Sequence, residues 1–248
     1  MTNRRLLVTT VSTLAVGCGI ASAQTPPPEN KDPGWEGAVN AGLTLTSGNS
    51  DTVLATVGAN AKKKWDKNEF ALGALGGYGE SEDIKNAEFV SAYAQYNRLF
   101  TERFYGGFRI DGNYDGIANL SYRINLTPLV GYYFIKNEKT ILSGEVGPSY
   151  VLEKYFGEDM DSYLGIRFAQ KFEHKLTEST KIWEYADYTP DVERWTEKYI
   201  INVEVGISTA INKSWSLRVV GQYIYDSLPA EGREKDDIRL IAGTEYKF

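Results

Sequence analysis

From Trp35 to Phe248 the chain alternates apolar and polar side chains in segment after segment, and the last segment shows the pattern most plainly. Ile238, Leu240, Ala242, Tyr246 and Phe248 share one face, while Asp237, Arg239, Glu245 and Lys247 share the other. A period of two is the period of a β-strand lying between an apolar and a wet environment. Repeated along the chain, it predicts a sheet with one apolar and one polar face. No apolar run after residue 20 is long enough to cross a membrane as a helix.

Twelve alternating segments can be counted, which predicts an all-β chain built as a single antiparallel up-and-down barrel of about twelve strands. The sixth is the longest, from Leu120 to Phe134, and Pro128 within it predicts a bulge or an unpaired position. The fourth, Phe89 to Arg98, is ambiguous, and the ninth, Lys181 to Tyr188, is the weakest by pattern. Short polar turns are expected at 99–103, 135–139, 176–180 and 211–214. They recur every ~35 to 40 residues, one hairpin of such a barrel. Longer acidic loops are expected between them, at 80–88, 115–119, 153–162, 189–197 and 226–236. Gly48 and Asn49 suit a tight turn between the first two strands, because both tolerate positive φ.

Alternation alone does not say which face is inside, so a soluble sandwich or lipocalin-like barrel is the rival. Aromatic residues decide for a transmembrane barrel. Trp35, Phe100, Phe134, Trp215 and Phe248 fall by the short turns, and Tyr114, Tyr150, Trp195 and Tyr225 by the long loops, as two interfacial girdles would. With the apolar face outward, Arg109, Asp111, Arg123, Glu145, Arg167, Lys171, Glu204, Arg218, Arg239 and Glu245 point into the lumen. Buried charges must be paired or wet, so these residues either plug the lumen or line water.

The first residues read as export and spacing. Arg4 and Arg5, the apolar run from Leu6 to Ile20 and Ala21-Ser22-Ala23 make a signal peptide over 1–23, cleaved after Ala23. The alternative is a lipoprotein box ending at Cys18, which has Ala15 where leucine is usual. Residues 24–34, with Pro26-Pro27-Pro28, form an extended polar linker, and 35–248 the barrel. Cleavage after Ala23 removes the single cysteine, so no disulfide framework is available.

Formal charge is -6, and -8 once Arg4 and Arg5 are gone, which excludes nucleic acid as a partner. Catalysis finds little to work with. His174 is the only histidine and precedes the 176–180 turn, on the rim away from the long loops where a barrel hydrolase would hold its nucleophile and base. No metal-ligating constellation or phosphate-cradling glycine motif is present, and no cofactor is expected. Glu158, Asp159 and Asp161 could bridge lipopolysaccharide through divalent cations, although solvated loop charge is the commoner fate of such residues.

Trp35 to Leu45, the Thr46-Ser47-Gly48-Asn49-Ser50-Asp51-Thr52 turn, the Tyr122-Arg123 strand and the Phe-terminated closing strand resemble the salt-induced outer membrane proteins of the YdiY type, a domain of unknown function (481). The resemblance implies an outer-membrane β-barrel with no established activity and no catalytic residues to carry over. The expectation is thus a non-enzymatic integral outer-membrane protein with a structural or salt-stress role. A narrow diffusion channel for small solutes or ions is the alternative, and a barrel-embedded hydrolase a distant third. Outer-membrane lipid, lipopolysaccharide and the barrel-assembly machinery are the expected partners, with Tyr246 and Phe248 as the insertion signal.

Overall fold

The computed structural model describes residues 34–47, 52–81 and 84–248, so the leader, all but the last residue of the linker and the Gly48-Asn49 turn lie outside the described residues. It contains twelve strands. In chain order they are β1 Glu36–Ser47, β2 Thr52–Trp65, β3 Asn68–Ser81, β4 Ile84–Leu99, β5 Phe104–Asp115 and β6 Leu120–Lys136. They continue with β7 Thr140–Tyr155, β8 Asp161–Lys175, β9 Thr180–Pro190, β10 Tyr199–Ala210, β11 Trp215–Asp226 and β12 Asp236–Lys247. Each pairs antiparallel with its neighbours in the chain, and β12 pairs with β1 from Ala38↔Lys247 to Ser47↔Ile238, closing the barrel.

The two faces are inverted relative to a soluble protein. Leu43, Val57 and Phe134 are 63%, 66% and 56% exposed, whereas Arg167 and Glu153, on the opposite parity, are each 2% exposed. Outward apolar side chains gain nothing in water, and inward charges gain nothing in an oily core. Such a wall is therefore suited to lipid outside and a polar lumen inside.

The four short turns share one local chemistry. Thr101, Asn137, Thr177 and Asn212 each accept, through a side-chain oxygen, the backbone N–H groups two and three residues on, at 2.7–3.2 Å. These Asx and ST turns explain why residues of this kind punctuate that rim. The β2–β3 turn uses Asp66 at φ 47 instead.

Three sequence expectations meet their physical reasons here. The 80–88 segment is mostly strand and not loop, since β3 runs through Ser81 and β4 begins at Ile84. A register shift between Gly79 and Glu80 breaks the alternation that would have revealed it. Pro128 gives an unpaired position without a bulge: the β6–β7 ladder stops at Leu126↔Tyr150 and resumes in the same register at Val130↔Val146. That register sets Pro128 opposite Pro148, and neither has an N–H to offer. The fourth and ninth strands alternate poorly because aromatics stand on both faces, Phe89 inward against Val90 and Tyr96 outward on β4, and Trp183 inward against Tyr188 outward on β9.

Phe248 lies just past β12 yet completes the seam. Its N–H donates to the Gly37 carbonyl at 3.0 Å and its carbonyl accepts from the Gly37 N–H at 3.2 Å. Its ring lies so close over Gly37 that a Cβ there would sit 2.6 Å from it. Deleting Phe248 removes both hydrogen bonds, worth about 0.5–1.5 kcal/mol each, together with the ring. Refolded protein should then show a reduced fraction of the heat-modifiable folded band on a gel, and an unchanged fraction would count against this role for the seam.

Candidate functional site

The polar parity of all twelve strands converges on the lumen, and its side chains fall into three layers between the short-turn and long-loop rims. In the middle layer Glu145 of β7 is the hub. It accepts hydrogen bonds from Gln95 Nε2 (2.6 Å), the Tyr105 hydroxyl (3.0 Å) and Arg167 Nη1 (3.1 Å). Arg167 also donates to the Tyr185 hydroxyl at 2.7 Å. Arg109 donates to both Asp111 oxygens at 2.6–2.9 Å and to Gln95 Oε1 at 3.0 Å. Its guanidinium stands 4.5 Å from the Tyr93 ring and 5.5 Å from the Tyr185 ring, so aromatic faces cover the planes that carboxylates leave free.

The layer beneath the long loops crosses the barrel. Arg123 of β6 pairs with Glu153 of β7 at 2.8 Å and with Asp226 of β11 at 2.5 Å, while the Tyr155 hydroxyl accepts from Arg123 and donates to Asp226. Arg239 of β12 pairs with Asp115 of β5 at 2.6 Å and lies 3.8 Å from the Phe89 ring centroid. In each crossing pair the two strands are five apart around a ring of twelve. Strands ~4.8 Å apart and tilted ~40° would make a round twelve-stranded barrel ~24 Å across. An arginine and an aspartate cannot together reach that far, so the wall is flattened at this level, drawing the β5–β6 side toward β11–β12. Lys198 adds pairs to Glu153 (2.6 Å) and Asp161 (2.8 Å) from the foot of the 191–198 loop. Arg194, in the same loop, donates to the Asp191 carboxylate, and that hydrogen bond lifts its pKa above the ordinary guanidinium value.

The short-turn end is wetter. The Lys171 and Glu173 side chains, paired at 2.8 Å, are 55% and 33% exposed, whereas Arg123 and Glu153 are 8% and 2% exposed. Arg218 reaches Glu245 at 3.5 Å. The charged side chains are therefore more accessible at the short-turn rim than where the ion pairs cross.

Each lumen residue singled out by parity has a definite partner. Arg109 meets Asp111, Arg123 meets Glu153 and Asp226, Glu145 meets Arg167, Lys171 meets Glu173, Arg218 meets Glu245, and Arg239 meets Asp115. Glu204 differs: its donors are neutral, Trp183 Nε1 at 2.7 Å and Gln222 Nε2 at 2.9 Å. Of the carboxylates that complete these pairs, Glu153 and Asp226 already fall on the polar faces of the seventh and eleventh segments by alternation, although the same residues open the long loops, while Asp115 reads as loop alone. Extending the fifth segment by one residue would have found it. Tyr246 points outward and packs edge-on against Trp215 at 5.1 Å. His174 lies outside the lumen, its Nδ1 2.8 Å from Thr140 Oγ1 and its ring stacked on Phe172. Among the described residues no group of three His, Cys, Asp or Glu could hold a metal ion.

Residues 39–248 match the family model described as "Protein of unknown function, DUF481". No curated protein matches the chain. Among solved structures, the NanC porin is similar at a TM-score of 0.58 and 8% identity, over 85% of this chain and 100% of that one. The KdgM porin in complex with disordered oligogalacturonate gives 0.48 and 12%, over 85% and 99%. The translocator domain of the autotransporter NalP from Neisseria meningitidis gives 0.49 and 14%, over 87% and 89%. At these identities the likeness is one of fold.

Two substitutions separate a buried ion pair from a neutral hydrogen-bonded group. Glu145→Ala strands Arg167, which is 2% exposed, and should cost about 3–5 kcal/mol, as breaking a buried pair does. Glu204→Ala leaves two neutral donors without their acceptor and should cost about 1–3 kcal/mol. Chemical unfolding of the folded protein in detergent would measure both. Equal and negligible losses would mean that the middle layer is wet.

Proposed function

Because the chain belongs to the family described as protein of unknown function, DUF481, whose description names no activity, we propose its function from the lumen: a non-enzymatic integral outer-membrane barrel, occluded toward the long loops, with a structural role in the envelope. The observation that carries this reading is the pair of ion pairs, Arg123–Asp226 and Arg239–Asp115, that cross the barrel between largely buried side chains. The fold shared with the NanC porin supports the outer-membrane setting. On this reading the short-turn rim faces the periplasm, as short turns do in such barrels. The resemblance to salt-induced outer membrane proteins supports a role under salt stress.

A second reading, a narrow channel for small solutes or ions, is favoured by the more accessible charged side chains at the short-turn end. It requires the crossing pairs to part. Arginine stays protonated at any accessible pH, so parting them would leave four charged groups to be hydrated together. A hydrolase is disfavoured by the place of His174, bound to Thr140 on the outer wall.

Conductance distinguishes the first two readings. In a planar bilayer the unmodified protein should be nearly silent, and the double variant Arg123→Ala/Arg239→Ala should conduct. Steady conductance of the unmodified protein would favour the channel. Fractionation tests the setting: the mature protein should partition with the outer membrane, and recovery from the soluble periplasm would sink the barrel-in-membrane reading.

A further inference from the structure

We infer that the short-turn half of the lumen is a binding cup for a small anion carrying several carboxylate groups. Seven cations face it, Lys62 and Lys64 of β2, Lys136 of β6, Lys171 of β8, Lys181 of β9, Arg218 of β11 and Lys247 of β12, spread around the ring of strands. Five carboxylates lie among them. Glu36 pairs with Lys62 at 3.0 Å, Glu69 with Lys64 at 3.4 Å and Lys136 at 3.6 Å, and Glu173 with Lys171 at 2.8 Å, while Glu245 is shared between Arg218 at 3.5 Å and Lys247 at 3.7 Å and Glu204 is held by the neutral donors Trp183 and Gln222. Lys181 makes no ion pair within 4 Å among the described residues, although Glu173 and Glu245 attract its charge and Lys62 and Lys247 repel it. Arg218 Nε is buried without an acceptor among the described side chains. The cup thus holds two positive charges more than it neutralises, in a protein whose formal charge is -6.

Placement strengthens the excess. The Trp183 ring lies between two of the cations, 5.5 Å from Lys181 Nζ and 5.6 Å from the Arg218 guanidinium carbon, and is itself fixed by the bond from Nε1 to Glu204. Low-dielectric walls focus the field of such charges into the concavity they line. Lys62, Lys171 and Lys181 are exposed, so water and a solute of similar polarity reach them. Ammonium groups spaced around a ring suit an anion whose charges are also spread, which a polycarboxylate provides and a monocarboxylate does not.

The cup's closed far end rests on the occluded reading above, but the cation excess does not. The test uses the folded full-length protein in detergent at fixed ionic strength, titrated with citrate and followed by calorimetry and by tryptophan fluorescence. Citrate should bind saturably, acetate much more weakly and sucrose not at all. Lys181→Gln should weaken citrate binding about three- to fivefold, the range of one solvated charge pair, while Lys181→Arg retains it. Lys213→Gln, in the 211–214 turn outside the cup, should leave it unchanged. The heat-dependent gel shift confirms that each variant is folded, and Lys62→Gln replaces Lys181→Gln if the latter misfolds. Equal effects of the Lys181 and Lys213 changes, or sucrose binding as well as citrate, would overturn the inference. Conductance of the unmodified protein would overturn the occluded reading alone and leave the citrate result to stand or fall by itself.

Discussion

The structure depends on the pairing of β12 with β1. In an apolar surrounding each unpaired backbone N–H or C=O costs several kcal/mol, so a sheet can stand in lipid only when its edges meet. The seam is built for that meeting. Gly42 stands opposite Gly243, and a Cβ on Gly42 would lie 2.5 Å from the Ala242 carbonyl oxygen, closer than real side chains come. Phe248 then extends the pairing by two hydrogen bonds beyond the last strand residue and covers Gly37, which has no side chain of its own to shield the backbone.

Closure fixes everything that follows about side chains. Once the sheet is a tube, every residue points either to the surroundings or to the lumen, and a period of two leaves no third choice. An apolar outer face thereby assigns the other parity, with its arginines, lysines and carboxylates, to a confined interior. Guanidinium groups cannot shed their protons there, so each recruits a carboxylate, and aromatic rings such as those of Tyr185, Tyr93 and Phe89 cover the remaining planes. The reach of those pairs then acts back on the wall, which flattens where Arg123 and Arg239 span the tube.

Much of this was legible in the sequence because parity is a strong code. The strand count, the antiparallel order and the inward direction of Arg109, Arg123, Arg167, Arg218 and Arg239 all follow from alternation. Partner identity does not follow, since it depends on which strands face each other across the lumen. Glu204 illustrates the limit: parity places it among charges, yet the side chains within reach are Trp183 and Gln222. The same limit hid the pairings of Asp115, which looks like a loop acid, and of Asp226, the last polar residue of its segment, until strands five places apart in the ring bring arginines to them. Where the local pattern is blurred, as at the Gly79–Glu80 register shift, the strand continues because its neighbours pair with it and not because its own residues announce it.

One wall thus encloses two different electrostatic media. Beneath the long loops, Arg123, Glu153 and Lys198 form a chain of pairs nearly closed to water, which Asp161 joins from the exposed rim, so each buried charge there depends on its partner. At the short turns Lys171 and Glu173 pair just as closely, 2.8 Å apart, but with more than half of the lysine side chain wet, so the same contact contributes little to holding the wall and leaves both groups able to exchange partners. A fold that needed charge only for stability would have no reason to keep surplus cations at the wet end, where pairing contributes least. Their presence there is better matched to a transient anionic partner than to the permanent ones that lock the opposite mouth.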